Sequence, residues 1–125
     1  MLTSPEIIAF LPTINSEKSK RFYCNLLALK LESEDDYALV FRGENISLRI
    51  TVVPELIPHP FTVLGFSIDN IESQIITLKA KGVNFENYNS LEQDAFGIWT
   101  SPSKARIAWF KDPDGNLISL TQLPK

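Results

Sequence analysis

Residues 110–120 read FKDPDGNLISL: an apolar approach, a tight turn and the start of a strand. Pro113 suits the second position of such a turn and Gly115 the positive φ at its end. The alternation that follows predicts a closing strand over residues 116–122. The core of this stretch occurs twice. Ile118-Ser119-Leu120 follows Gly115-Asn116, and Ile46-Ser47-Leu48 follows Gly43-Glu44-Asn45. A repeated tripeptide behind a repeated turn points to two copies of one structural unit.

Reading outward supports the duplication. In the first half, residues 6–13 (EIIAFLPT) read as a strand. Asn15 or Ser16 caps a helix over 17–27, and strands follow over 29–34, 37–41 and 46–53. Residues 54–60 hold three of the eight prolines and read as a linker. The order then recurs: a strand over 62–68, a helix capped by Asp69 or Asn70 and stopped by Gly82, and a strand over 83–86. After a polar excursion over 87–96, strand-like pieces cover 97–100 and 106–111 before the closing strand. The expected fold class is α+β. One domain, 1–125, holds two tandem βαβββ modules at about 6–53 and 61–122.

Composition narrows the function. Of 125 residues, 44% are hydrophobic and 22% charged, which suits a folded domain. A net charge of −3 argues against sequence-independent binding of nucleic acid, which needs a positive face. No apolar run reaches the roughly 18 residues of a membrane span, and the first residues do not read as a signal peptide. The cytoplasm is the expected location, which leaves the Asn45-Ile46-Ser47 glycosylation pattern without meaning. With one histidine and one cysteine, a zinc site of the common His/Cys kind cannot be built within one chain. His59 reads as a linker residue and Cys24 as a small packing residue.

The tandem modules, Ser19-Lys20-Arg21-Phe22-Tyr23 followed by Leu27-Ala28-Leu29, and the 110–116 turn together resemble the vicinal-oxygen-chelate superfamily. It includes glyoxalase I, bleomycin-resistance proteins, extradiol dioxygenases and methylmalonyl-CoA epimerase. Ala28 stands where the family pattern has Gly. The resemblance covers about 7–122 and implies curved, mostly antiparallel sheets forming an open barrel around a pocket. It also implies a divalent metal held by His or Gln from the first strand of each module and Glu from the last. Those four slots fall on Ile8, Val63, Ser47 and Ser119. Two have no donor atom, and neutral serine is a weak ligand beside imidazole or carboxylate. The expectation is therefore no metal cofactor. Glyoxalase, epimerase and dioxygenase chemistry, which relies on that metal, is put in doubt.

Alternation places Ile8, Phe10, Pro12, Ser47, Arg49, Thr51, Val63, Gly65, Ser67, Leu117, Ser119 and Thr121 on the pocket side. Leu48, Ile50, Leu64, Phe66, Ile68, Ile118 and Leu120 then lie under the helices. Arg49 would bind a carboxylate, phosphate or enolate. Its ordinary reading is an ion pair with Glu86, Glu92 or Asp94, or simple exposure. Trp99 and Trp109 are candidate pocket walls, or else packing or interface residues. Asp94, with Glu92, Gln93 and Tyr88, lies in a stretch that either folds over the pocket mouth or is a solvated loop. Ser47 and Ser119 can donate to a ligand but lack a base that would make either a nucleophile.

Three functions follow. The first is a metal-free small-molecule binder, expected as a homodimer, with Arg49, Ser47, Ser119, Phe10, Trp99, Trp109 and Asp94 as ligand-binding residues and no assigned catalytic residue. Its expected ligand is neutral or anionic, with an aromatic or aliphatic part. The second is a lyase, epimerase or dioxygenase with an atypical or metal-free site, Arg49 stabilising an oxyanion and Asp94 acting as base. The third is an interaction module whose pocket is filled by its own side chains.

Overall fold

The computed structural model describes residues 2–125. The chain divides into two compact units, one ending at Pro58 and the other beginning at His59.

The first unit contains β1 (Ile7–Thr13), α1 (Ser16–Arg21), β2 (Leu31–Glu34), β3 (Ala38–Gly43) and β4 (Ile46–Val52). Its sheet has the order β1-β4-β3-β2, with β1 parallel to β4 and the other pairs antiparallel. Asn15 starts α1, its side-chain oxygen accepting from the Lys18 N–H at 3.0 Å. The expected single helix over 17–27 is corrected: after Arg21 the chain widens into a π-helical turn, Phe22–Leu26. The Leu27 N–H closes that turn onto the Phe22 carbonyl at 3.1 Å. The wider turn seats two adjacent bulky rings on the sheet. Tyr23 is fully buried, 5.2 Å from the Phe22 ring and 5.9 Å from the Phe41 ring. Leu11, Leu39, Phe41, Leu48 and Ile50 complete this core, each buried side chain contributing roughly 1.5–3 kcal/mol.

The second unit contains β5 (Thr62–Ser67), α2 (Ile71–Ala80), β6 (Trp99–Thr100), β7 (Arg106–Lys111) and β8 (Leu117–Gln122), with sheet order β5-β8-β7-β6. Asn70 caps α2 by accepting from the Ser73 N–H at 3.1 Å, and Gly82 ends it at φ 95°. Ile71, Ile75 and Leu78 are buried, as are Ala108, Phe110, Ile118 and Leu120 of the sheet. The expected strand over 83–86 is also corrected: only one bridge, Phe85 to Phe110, joins it to β7. β6 takes Arg106 and Ile107 on the same edge, so two short segments share the outer side of β7. The 112–115 turn forms as expected, with Gly115 at φ 86° and its N–H on the Asp112 carbonyl.

Both units therefore place a Ser in the strand beside the first strand. Ser47 lies abreast of Ile8, and Ser119 abreast of Gly65. The fold is α+β with two four-stranded mixed sheets.

Candidate functional site

In the first unit, register sets the side chains of one face in rows, since neighbours abreast share a face. Val40, Arg49 and Phe10 form one row, Arg42, Ser47 and Ile8 the next, and Ala38, Thr51 and Pro12 a third. The opposite face of β1 carries Leu11 and Thr13, both buried. On the row face Phe10 is 63% exposed and Ile8 55%. This is the face that alternation assigned to the pocket.

The two arginines of this face differ. Arg42 is held by Glu6 and by Glu32, the latter 2.6 Å from its Nε. Arg49 is half-buried, and among the described residues of its unit its guanidinium makes no ion pair or hydrogen bond. Two of the acids considered for it are engaged in their own unit: Glu86 lies 3.5 Å from Lys111, and Asp94 lies 3.9 Å from Arg106. Asp35 is in electrostatic range of Arg49. Its carboxyl is held below the usual value first by the Tyr37 and Ala38 N–H groups, and by Arg49 last. The Ser47 hydroxyl has no hydrogen-bond partner among the described residues of its unit, although the residue is only 6% exposed.

The corresponding face of the second unit is aromatic on one side and bare on the other. Its rows are Trp109, Ser119 and Gly65, then Trp99, Ile107, Thr121 and Ser67. The Trp109 indole N–H donates to the Thr62 hydroxyl at 3.0 Å. Tyr88 meets the Trp109 ring edge-on at 5.6 Å, and Trp99 lies tilted at 6.3 Å. Partial burial, then the nearby Glu86 charge, raises the Tyr88 phenol pKa. Sequence reasoning missed Thr62. The register of β5 slips between Thr62 and Leu64, so Thr62 stands beside Leu117 and Val63 lies within the slip. Thr62, Val63 and Leu64 all suit a strand, so no sequence signal marks that slip.

Asp94 is occupied by its own loop. One carboxylate oxygen accepts from the N–H groups of Phe96 at 2.9 Å and Ile98 at 3.0 Å. Beside it, the Gln93 amide donates to the carbonyls of Glu86 and Gly97 and accepts from the Tyr88 N–H. The polar excursion is thus a built loop, stapled by Gln93 and turned by Asp94. The structure brings Arg49, Ser47 and Phe10 together on one face, and Trp99, Trp109 and Ser119 on another.

The family model of the Glyoxalase/Bleomycin resistance protein/Dioxygenase superfamily matches residues 7–120. The chain belongs to this superfamily. A comparison with curated proteins finds no match. Solved structures share the fold. An antibiotic-binding protein from a Streptomyces species is 24% identical with a TM-score of 0.74, covering 99% of each chain. A bleomycin resistance determinant encoded on the transposon Tn5 is 19% identical with a TM-score of 0.73, covering 94% of this chain and 97% of its own. Lactoylglutathione lyase from Agrobacterium tumefaciens is 13% identical with a TM-score of 0.72, covering 93% and 91%.

The four positions that the resemblance gives to a metal are Ile8, Val63, Ser47 and Ser119. Ile8 and Val63 have no donor atom, and Ser47 and Ser119 offer only neutral hydroxyls. Among the described residues no group of three or more His, Cys, Asp or Glu side chains is placed to hold a metal ion. No helix among them is long and apolar enough to cross a membrane.

Proposed function

We propose that this superfamily member binds a small organic molecule through the uncovered faces of its sheets, without a resident metal. The observation that carries the reading is Arg49. A half-buried guanidinium that makes no ion pair among the described residues of its unit, between Val40 and the exposed Phe10, suits an anionic head attached to an apolar body. Ser47 and Ser119 add hydroxyls free to bond a ligand, and Trp99 and Trp109 add aromatic surface. Asp94 contributes by shaping its loop, because its carboxylate already serves the turn. The antibiotic-binding protein and the bleomycin resistance determinant that share the fold support a binding role.

The test is calorimetric titration with octanoate, an anion with an aliphatic body. Arg49→Ala should weaken octanoate binding about tenfold or more, and Arg49→Lys by less. Equal binding by wild type and Arg49→Ala would sink the reading. We extend it to a homodimer, supported by the exposed Ile7 and Ile8 along the edge strand β1. Sedimentation at micromolar concentration should give twice the chain mass, and Ile7→Glu should return a monomer.

A further inference from the structure

We propose that the Arg49 face of the first unit selects ligands with a single negative charge over dianions, and that Asp35 sets this limit. This deepens the binding reading above and rests on it. A lone guanidinium attracts a dianion more strongly than a monoanion. The groups around Arg49 oppose that preference. Val40 stands abreast of Arg49, so its diagonal neighbours on β3 are Arg42 and Ala38. Diagonal neighbours lie about 7–8 Å apart, within reach of a long side chain. At the first, Arg42 brings one positive charge together with two carboxylates, Glu6 and Glu32. At the second, the Ala38 N–H holds the Asp35 carboxylate at 2.9 Å. The diagonal neighbours on β1, Ile8 and Pro12, carry no charge. None of the four adds to the pull of Arg49, and two of them bring net negative charge.

Asp35 is a fixed charge. One carboxylate oxygen accepts from the N–H groups of Tyr37 at 2.8 Å and Ala38 at 2.9 Å, and the Asp35 N–H donates to the Ala38 carbonyl at 3.0 Å. These bonds close the turn into β3 and hold the carboxylate at the head of the strand. They also favour its ionised form, ahead of a smaller contribution from Arg49. Yet Asp35 makes no ion pair with Arg49. The guanidinium therefore stays open to a ligand while a negative charge stands in range. Repulsion from that charge scales with the charge of the ligand, so a dianion meets twice the opposition a monoanion does. The ligand class is an amphiphile with one carboxylate-type charge on Arg49 and an apolar body along Phe10.

The experiment titrates octanoate and octyl phosphate separately into the full chain at about pH 8.5, where the phosphate is a dianion. Ionic strength is kept near 0.01 M, where screening acts only beyond about 30 Å. The wild type should bind octyl phosphate no more tightly than octanoate. Asp35→Asn keeps the oxygen that accepts from Tyr37 and Ala38, so the turn remains and only the charge is lost. It should raise affinity for octyl phosphate over that for octanoate about threefold, and the gain should vanish near 1 M salt. Asp36→Asn removes the same charge from the next residue and should change the ratio less. A wild type that prefers octyl phosphate overturns the single-charge limit, whatever the variants do. An Asp35→Asn ratio equal to that of the wild type or of Asp36→Asn overturns the role of Asp35. In either case octanoate binding through Arg49 leaves the proposed function standing. If neither probe binds, both fall.

Discussion

Ala28 shows how much one residue can cost in this chain. It sits at φ 57°, in the left-handed region, just past the π-helical turn. A Cβ there costs about 1–2 kcal/mol. Ala28→Gly relieves that strain but gives the unfolded chain more freedom, which offsets part of the gain. The expected outcome is a net stabilisation of about 1 kcal/mol, read as a higher denaturant midpoint with unchanged slope. A lower midpoint would show that the Ala28 methyl packs better than its backbone suffers. The same residue scale explains what the sequence could show of the site. Arg49 stands out because a guanidinium in the middle of an alternating strand needs a reason, and register places it on the uncovered face. Thr62 does not stand out. Its contact with Trp109 spans 47 positions and depends on a one-residue slip that Thr, Val and Leu do not betray.

At the scale of elements, the 86–97 loop owes its form to one amide. Gln93 makes three hydrogen bonds to the backbone of its own loop. Gln93→Ala leaves those groups to find water, at about 1–3 kcal/mol. Hydrogen exchange should then rise at the amides of Tyr88 and Asp94 and stay unchanged in α2. Uniform loosening of the whole second unit would show that the loop and sheet unfold together. Two strands were legible almost to the residue: β4 because apolar and polar residues alternate along it, and β7 because its apolar run is bounded by Arg106 and Lys111. The caps were legible because Asn15 and Asn70 precede apolar runs at helical spacing. The segment at 83–86 was not. It has the composition of a strand, but β6 already takes part of the β7 edge, and no local pattern reveals that competition.

For the molecule as a whole, the expectation that matters most concerns metal. Elemental analysis of the purified chain, before and after soaking with zinc, nickel, manganese and iron(II), should find no stoichiometric ion. Melting should not shift, because a ligand that binds only the folded state raises its stability. One tightly held ion per chain would mean that donors other than Ile8, Ser47, Val63 and Ser119 form a site, and lyase, epimerase and dioxygenase assays would become the next step. The fold itself was readable because the chain states its plan twice, in Ile46-Ser47-Leu48 and Ile118-Ser119-Leu120. The π-helical turn at Phe22–Leu26 has a different kind of consequence. It holds one residue more than an α-helical path between the same ends would use. Elsewhere, deleting a residue from a strand would turn every later side chain of that strand to the wrong face. Deleting the exposed Asn25 would instead let the turn tighten to α-helical pitch beneath Tyr23. This short segment is where the chain can lose a residue while both sheets keep their registers.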